Sequence, residues 1–436
     1  MRYTQSSPLA DRPGLFHPQS FTLPNGMRVV LIENHRAPIV THMIWFRVGS
    51  ADDPKGRSGI AHFFEHLMFK GTQKIPAGEI SRIIARNGGD DNAFTSYDYT
   101  AYYANIAVDR LPLIMELESD RMANLTLASE IVMTERDVIL EERKQVVESQ
   151  PMHRLQEQIQ TALLPGLPYG TPIIGWREEI EKLDKTAADY FYGHWYAPNN
   201  AILIISGDIT MDALRPLAEK FYGPLAPKSV PPRERASPTQ PPRAQRIELK
   251  DAAVQLPLIQ IAYAAPTYGT CDDRSPYALQ VMNETASEGA SSRLYKELVM
   301  KQKIASSVGM YYNPTALAEN ALALYAAPTP YSTIEDLEKA LHAQIQLIIK
   351  NGFTNDEVAK SRRRLIAEAI YARDSVKNPA YLFGMALTTG QDTADVEAWP
   401  ERIAAVTTAE VNAAARAVFD TPHFITGLLL PESEAA

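Results

Sequence analysis

A proline-rich segment divides this chain of 436 residues into two parts, and it constrains the fold more than any other feature. Between Pro224 and Pro242 there are seven prolines, interleaved with charged residues. Such a composition forms an extended, semi-rigid connector without a packed core. We therefore predict an N-terminal domain over residues 1–223, a linker over 224–243 and a C-terminal domain over 244–436, since a chain of this length is expected to form more than one domain.

Both parts show the same order of predicted elements. The first begins with two strands and a turn at residues 24–26, continues with a helix, and ends with the buried strand AILIISGDI and a further helix. The second begins with strands in RIELKDAAVQLPLIQIAYAAP, continues with a helix and ends with the strand FITGLLLP. A repeated order of this length indicates duplication of an α+β unit of about 200 residues. We therefore predict an α+β protein built from two homologous domains.

The segment GIAHFFEHLMFKGT places two imidazoles and a carboxylate on one face of a short predicted helix. His62, Glu65 and His66 lie at positions i, i+3 and i+4, which share a face at about 100° per residue. The opposite face is apolar and consists of Ile60, Phe63, Phe64, Leu67 and Met68. Ser58 is predicted as the N-cap and Gly71 as the C-terminal stop, so the helix would have about three turns.

Two histidines and a glutamate in this spacing are typical of a zinc site with an adjacent general base. The chain has 9 His in 436 residues, so a chance H-x-x-E-H is expected about once in a hundred such chains. Zinc with three protein ligands keeps a fourth position for water and lowers the pKa of that water to about 7. With His62 and His66 as ligands, Glu65 would take a proton as the water attacks a carbonyl carbon. The pattern predicts metal-assisted hydrolysis of a peptide bond.

A longer predicted helix, from residue 129 to beyond residue 147, offers carboxylates for a third ligand. Glu135 and Glu142 are seven residues apart and share a face, whereas Glu141 is turned by about 100° from Glu142. If this helix completes a His/His/Glu site, Glu142 is the better ligand candidate and Glu135 would orient a histidine. The second part has NETAS at residues 283–287 in place of HFFEH. We therefore predict one zinc ion per chain, bound by the first part.

A polar strand is predicted between Asp90 and Val108, in DDNAFTSYDYTAYYANIAV. Its content of Thr, Tyr and Ala with partial alternation is typical of a strand. Such a strand often lies at a sheet edge, where an extended peptide can be added through main-chain hydrogen bonds. An ordinary half-buried strand explains the composition equally well. On the first interpretation, Asn92, Ala93 and Phe94 would align a substrate peptide.

Charge and composition exclude several other functions. The net charge of −9 and the pI near 5.6 indicate no basic surface for nucleic acid. The single cysteine, Cys271, rules out an intrachain disulfide and a C-x-x-C motif. The N-terminal residues resemble neither a secretory nor a transit signal, and no apolar run of roughly 18 residues predicts a membrane span. We therefore predict a cytoplasmic protein, or a periplasmic one if an upstream signal has been removed.

The chain resembles the pitrilysin-type inverzincin peptidases, and most closely the branch that contains mitochondrial processing peptidase and its bacterial relatives. H-x-x-E-H is the inverzincin signature, and the resemblance extends over nearly the whole chain. The matching segments are GIAHFFEHLMFKGT, GGDDNAFTSYDYTAYYANI, TERDVILEER, LPYGTPIIG, WYAPNNAILIISGDI and, in the second part, SSRLYKELVMKQKIASS. The resemblance implies two homologous α/β-roll domains, each a mainly antiparallel sheet with helices packed on it, and a zinc ligand at Glu142.

The resemblance also implies that two such chains face each other around a chamber that admits unfolded peptides. Active members of the family usually carry an Arg and, seven residues later, a Tyr, which bind substrate near the zinc. The register of SSRLYKEL places Val299 and Ser306 at these positions. In some bacterial relatives the zinc motif and the Arg/Tyr pair lie on different subunits. We predict that this chain is the zinc-bearing subunit of such a heterodimer, with a homologous partner that carries the pair.

Other interpretations stay open. A homodimer could work without the Arg/Tyr pair, or the register could be wrong by a few residues. A non-catalytic structural or peptide-binding subunit would share the fold. The resemblance includes such proteins, the core proteins of a respiratory complex. The complete set of His62, Glu65, His66 and Glu142 favours a catalytic subunit, because a degenerate one has little reason to retain all four residues.

Overall fold

The computed structural model describes residues 14–236, 242–271 and 273–432. The N-terminal segment used to predict the absence of a signal lies largely within residues 1–13, outside the described residues. The same is true of residues 237–241 in the middle of the predicted linker. We call the parts before and after the linker the N-terminal half and the C-terminal half.

The N-terminal half forms one six-stranded sheet, with strands in the order β1-β2-β6-β3-β5-β4. The strands are β1 (Gln19–Thr22), β2 (Arg28–Glu33), β3 (Ile39–Phe46), β4 (Asp90–Thr95), β5 (Thr100–Ala107) and β6 (Ala201–Gly207). The helices are α1 (Ile60–Leu67), α2 (Glu79–Arg86), α3 (Leu111–Asn124), α4 (Ser129–Arg143), α5 (Pro151–Leu163), α6 (Arg177–Ile180), α7 (Lys185–Trp195) and α8 (Met211–Phe221). A 3-10 turn, Met68–Lys70, extends α1, and a π-helical turn, Lys144–Glu148, extends α4.

The C-terminal half forms a five-stranded sheet, with strands in the order β7-β11-β8-β10-β9. The strands are β7 (Gln245–Asp251), β8 (Leu258–Ala265), β9 (Ala305–Tyr312), β10 (Asn320–Pro328) and β11 (Ile425–Pro431). The helices are α9 (Ser275–Ser287), α10 (Ile334–Asn351), α11 (Asn355–Ala372), α12 (Lys377–Thr388), α13 (Thr393–Glu397), α14 (Trp399–Ala404) and α15 (Thr408–Phe419). A π-helical turn, Tyr295–Lys301, precedes β9.

Apart from β1, which has no counterpart among the described strands of the second sheet, the two sheets have the same strand order. Strand β2 pairs in parallel with β6, and β7 pairs in parallel with β11. All other pairings between the described strands are antiparallel. The strands β6 and β11, which the sequence identified as counterparts, occupy equivalent positions. The predicted α+β fold with two mainly antiparallel sheets is therefore confirmed.

The predicted polar strand is a hairpin whose first strand lies at the sheet edge. The segment forms β4 and β5, joined by a turn at residues 96–99, and β4 pairs only with β5 among the described strands. Of the two interpretations left open by the sequence, the edge position is the one observed. The free side of β4 can therefore accept a further strand.

Each half contributes a helix to the core of the other. Apolar residues of α12, including Phe383, pack on Trp45 and Ile204 of the first sheet. In return, Leu155 and Ile159 of α5 pack on the second sheet. This exchange buries apolar surface between the halves, which favours their association. The domain boundaries expected from the linker composition therefore stay a prediction.

The linker is attached to the N-terminal half by two partly buried arginines. The guanidinium of Arg235 contacts the carboxylates of Asp52 (2.7 Å) and Asp98 (2.9 Å). Arg233 donates to the backbone carbonyls of Asp98 (2.6 Å) and Thr388 (2.8 Å), and thereby also reaches α12. The described part of the linker forms no helix or strand, and these contacts hold it in place.

We expect that Gly384→Ala destabilises the protein. Gly384 lies in α12, and a Cβ there would overlap the indole ring of Trp45. Overpacking of this kind lowers the free energy of unfolding by about 1–3 kcal/mol. Gly193→Ala is the matched control, because Gly193 is exposed in α7 and its Cβ would meet open space, so it should stabilise by up to about 1 kcal/mol. Urea unfolding measures both; equal stabilities would contradict the packing of α12 on Trp45.

Candidate metal centre

Helix α1 begins at a left-handed glycine and is capped by a carboxylate from the preceding loop. The N-cap residue, Gly59, has a φ of 87°, a conformation that favours glycine. The carboxylate of Asp53 accepts hydrogen bonds from the backbone N–H groups of Gly59 (2.6 Å) and Ala61 (3.1 Å). Asp53 therefore satisfies two of the free donors at the start of the helix.

The prediction that Ser58 is the N-cap is wrong. The left-handed turn at Gly59 separates Ser58 from the helix, and its hydroxyl accepts a hydrogen bond from the backbone N–H of Trp176 (2.9 Å). At the other end, Gly71 (φ 93°) follows the 3-10 turn, as predicted. The apolar face is buried, and the second face presents His62, Glu65 and His66.

The side chains of His62, His66 and Glu142 converge. One ligand atom from each lies within 4.8 Å of the other two, and the described residues contain one such group. The carboxylate oxygens of Glu142 lie 3.8 Å from Nε2 of His62 and 3.4 Å from Nε2 of His66. Ligands placed tetrahedrally at about 2.1 Å from zinc would be about 3.4 Å apart. The spacing and the donor types therefore suit a zinc ion, with room for a fourth ligand.

Helix α4 presents Glu142, and not Glu141, to the histidines. Glu141 lies one residue earlier, is about half exposed, and pairs with Lys144 (3.6 Å) on the outer side of the helix. Glu135, one heptad before Glu142, accepts a hydrogen bond from Nδ1 of His66 (3.0 Å). Its other oxygen forms an ion pair with Lys70. Glu135 thereby orients the ring of His66 with Nε2 towards Glu142, as a supporting carboxylate does in metal sites.

The electrostatics of the centre favour a cation. Burial lowers the pKa of His62 to about 4, so this imidazole is neutral at pH 7. Burial also acts to lower the pKa of His66, but Glu135 and Glu142 outweigh it and raise that pKa to about 9. The hydrogen bond with His66 lowers the pKa of Glu142. The two carboxylates therefore favour the protonated, positively charged form of His66. A metal ion bound at this place would supply the positive charge instead of that proton.

Glu65 lies beside the three ligand candidates and is held by a threonine. Glu65 is 9% exposed, and one of its carboxylate oxygens accepts a hydrogen bond from the hydroxyl of Thr95 (2.6 Å). Burial raises the pKa of Glu65, and the Thr95 hydroxyl opposes this. The sequence motifs did not point to Thr95, although it lies within the polar segment predicted as a strand and ends β4. Lys70, the partner of Glu135, was also overlooked and lies within the first motif.

The three predicted substrate-binding residues lie on β4 but face different ways. Ala93 packs with the core around α1, on the same side as Thr95. The side chain of Phe94 lies on the opposite face, against Trp45 (ring centroids 5.3 Å apart) and Tyr381 of α12 (5.2 Å). Side chains alternate along a strand, so Asn92 lies on the same side as Phe94. The backbone N–H and C=O groups of Phe94 face β5 and not the free edge, because alternate residues of a strand bond to the same neighbour and the N–H of Ser96 donates to the carbonyl of Tyr99.

The positions at which active relatives were expected to carry Arg and Tyr hold other residues. Val299 lies in the π-helical turn and packs against the core of the C-terminal half. Ser306 lies on β9, where its hydroxyl donates to the backbone carbonyl of Ala327 (3.2 Å). Neither side chain carries a guanidinium or a phenol.

Two family models match the chain in succession. The model described as "Insulinase (Peptidase family M16)" matches residues 28–176, which include the H-x-x-E-H motif and Glu142. The model "Peptidase M16 inactive domain" matches residues 182–365. Together they cover well over half of the chain. The chain belongs to peptidase family M16. The second model falls largely on the half without the motif.

Bacterial M16 proteins are among the most similar relatives. Zinc protease PqqE of Helicobacter pylori is 29% identical over 369 residues, which cover 84% of this M16 chain and 82% of the relative. Mitochondrial-processing peptidase subunit beta of Dictyostelium discoideum is 26% identical over 90% of this chain and 84% of its own. A crystal structure of a Helicobacter pylori protease superposes with a TM-score of 0.85 at 27% identity, covering 95% of this chain and 99% of the other. The predicted resemblance is confirmed.

Among the described residues, no helix is both long and apolar enough to cross a membrane. The cytoplasmic location inferred from the sequence stays a prediction.

Proposed function

We propose that this M16 chain is the catalytic subunit of a zinc-dependent endopeptidase that hydrolyses unfolded peptides. The observation that carries the proposal is the convergence of His62, His66 and Glu142, with the buried carboxylate of Glu65 beside them. A site with two histidines and one carboxylate as zinc ligands, and a separate glutamate as base, is suited to hydrolysis of an amide bond. One zinc ion per chain is expected, because the C-terminal half lacks the motif.

In this proposal, His62, His66 and Glu142 would hold the zinc ion. Zinc bound in this way acts as a Lewis acid and promotes ionisation of a water molecule. Glu65 accepts a proton from the attacking water and transfers it to the nitrogen of the leaving amine. Glu135 keeps the ring of His66 in place through the hydrogen bond to Nδ1.

The peptide would bind as an added strand on the free edge of β4. The backbone of Ala93, and not that of Asn92, faces the free edge, because successive residues of a strand direct their N–H and C=O groups to opposite edges. The N–H of Ala93 donates to the side-chain oxygen of Asn92 (2.8 Å). On exchange of that bond, Ala93 would supply backbone hydrogen bonds, which do not depend on the side chains of the peptide. Because β4 ends at Thr95, which contacts Glu65, a peptide on this edge passes close to the general base. An extended and unfolded substrate follows from this geometry, since a folded protein rarely exposes a free strand.

A homologous partner subunit with the Arg/Tyr pair would complete the active centre. Val299 and Ser306 support this part of the proposal, because neither can replace an arginine or a tyrosine. One relative is named as a subunit, the mitochondrial-processing peptidase subunit beta. The same two residues also support a second candidate function, a peptide-binding subunit without catalytic activity. A homodimer that works without the pair is the third possibility, and the next experiment separates them.

The test is hydrolysis of an unstructured fluorogenic peptide by the purified chain, with bound zinc measured in the same sample. Activity that a chelator abolishes and zinc restores would establish a self-sufficient peptidase and contradict the need for a partner. One zinc per chain with negligible turnover, which rises when a homologous subunit is added, is the expected result. Absence of zinc, together with peptide binding, would favour the non-catalytic subunit.

We expect that Thr95→Val lowers kcat by about 10- to 100-fold, because a hydrogen bond to a charged group contributes about 1.5–3 kcal/mol. Valine keeps the shape of threonine but cannot donate to Glu65. Bound zinc and KM should change little, since the hydroxyl contacts neither a ligand candidate nor the outer edge of β4. Thr95→Ser is the matched control and should retain most of the activity. A similar loss in both variants would show that packing, rather than the hydroxyl, is important.

A further inference from the structure

A cavity of about 420 Å³ lies between the two halves, next to the candidate active centre. One wall consists of the turn after β4, at Ser96 and Tyr97, together with α5. The opposite wall is the face of the second sheet formed by β8, β9 and β10. Ser96 directly follows Thr95, whose hydroxyl contacts Glu65. The cavity therefore opens where a peptide bound along β4 would pass the end of that strand.

The floor of the cavity is lined by small side chains, which leaves room for the side chains of a peptide. On the second sheet, Ala262 of β8 and Ala323 of β10 are direct neighbours, and Ala321 follows on the same face. Tyr311 of β9 borders this alanine floor and is 61% exposed. A volume of this size falls within the range of small-molecule pockets and would hold a few side chains.

Neutral carboxamides provide most of the polar groups in the walls. They are contributed by α5, by β8 and by the ends of β9 and β10, and the residues are Gln156, Gln160, Gln260, Asn313 and Asn320. Each carboxamide has both donors and an acceptor. Three of them already form hydrogen bonds: Gln160 donates to the carbonyl of Tyr169, and the side-chain oxygens of Asn313 and Asn320 accept from the backbone N–H groups of Thr315 and Ala321. The remaining donors and acceptors, including those of Gln260, can form hydrogen bonds with a peptide, but the wall offers no charge to an ionised side chain.

The one carboxylate in the lining is already paired. Glu157 of α5 accepts two hydrogen bonds, of 2.9 and 3.0 Å, from the guanidinium of Arg143. Arg143 is 5% exposed, so this ion pair is largely shielded from water. Among the described lining residues, no lysine or arginine is present. A charged side chain that enters the cavity would lose hydration and meet no opposite free charge.

We propose that this cavity is a subsite that accepts uncharged polar or aromatic side chains of the substrate peptide and rejects charged ones. The subsite rests on the proposed peptidase function. It lies beyond the Thr95 end of β4, so it receives residues a few positions from the bond that is cleaved, since an extended peptide advances about 3.3 Å per residue. Gln260, in the middle of the wall on β8, is the specificity-determining residue.

The test uses fluorogenic peptides that are identical except for one position, which is Gln, Tyr, Lys or Glu in turn. At one position on one side of the cleavage site, Lys and Glu should each lower kcat/KM about tenfold relative to Gln, a factor that corresponds to about 1.4 kcal/mol. Gln260→Glu should then restore cleavage of the Lys peptide and weaken that of the Glu peptide further, and Gln260→Lys should do the opposite. Gln302→Glu, which adds the same charge at an exposed site outside the cavity, is the control and should leave these ratios unchanged.

Binding provides a second measurement that does not need catalysis. Fluorescence anisotropy of the same labelled peptides with the metal-free full chain should show weaker binding of the Lys and Glu peptides than of the Gln peptide. Gln260→Glu should strengthen binding of the Lys peptide, and Gln260→Lys should strengthen binding of the Glu peptide. If the peptides are cleaved but Lys and Glu lower kcat/KM at no position, the subsite is overturned and the peptidase function is unaffected. Absence of cleavage when zinc and the homologous partner subunit are both present, together with the expected order of affinities, would overturn the peptidase function alone. Equal effects of Gln260→Glu and Gln302→Glu would also overturn the subsite.

Discussion

Glu65→Gln is expected to abolish peptide hydrolysis while the protein keeps its zinc. Glutamine has nearly the same shape and can still accept the hydrogen bond from Thr95, but it cannot take a proton from water. Loss of a general base lowers kcat by about 10²–10⁴. Zinc binding should not change, because the ligand group consists of His62, His66 and Glu142. Turnover in the presence of the homologous partner subunit, and zinc content of the same preparation, give both results.

Glu130→Gln is a suitable control for this experiment. Glu130 is exposed at the start of α4, so the same chemical change is made away from the centre and should leave turnover unaltered. A turnover number of Glu65→Gln equal to that of the unmodified chain would refute Glu65 as the base. Loss of zinc in the same variant would instead mean that Glu65 is a ligand.

Glu142→Gln is expected to lose zinc, whereas Glu141→Gln should not. A neutral carboxamide replaces the anionic ligand, and we expect the affinity for zinc to fall by more than the 10- to 100-fold that is typical when a supporting residue is removed. Glu141 points away from the histidines and pairs with Lys144, so it is a matched control on the adjacent position. Equilibrium dialysis against a zinc-buffered solution measures both affinities.

Glu135→Gln should give an intermediate result, because Glu135 contacts His66 and Lys70 but is not a ligand candidate. A loss of affinity of about 10- to 100-fold is expected, since the amide can still accept a hydrogen bond from Nδ1 of His66. If Glu141→Gln released zinc and Glu142→Gln retained it, the assignment of the face of α4 that meets the histidines would be contradicted.

The sequence alone was sufficient for features that depend on local periodicity. The helix predicted from GIAHFFEHLMFKGT is α1 with its 3-10 extension up to Gly71, because the apolar spacing and the terminal glycine lie within a few turns of each other. The same holds for the face shared by His62, Glu65 and His66, and for the orientation of Glu142, rather than Glu141, towards the histidines. The role of Glu142 as a ligand stays a prediction. The repeated order of elements also predicted a duplicated α+β unit, and five strands of the first sheet have counterparts in the second.

Contacts between residues far apart in the chain could be decided only by the tertiary structure. The cap of α1 comes from Asp53, which lies before a left-handed glycine, so the usual rule for an adjacent cap selected Ser58 instead. The hydroxyl of Thr95 meets Glu65 across 30 positions of the chain. Helices α5 and α12 pack on the sheet of the opposite half. A sequence pattern shows which face of an element is apolar, but which surface covers that face depends on the arrangement of the whole chain.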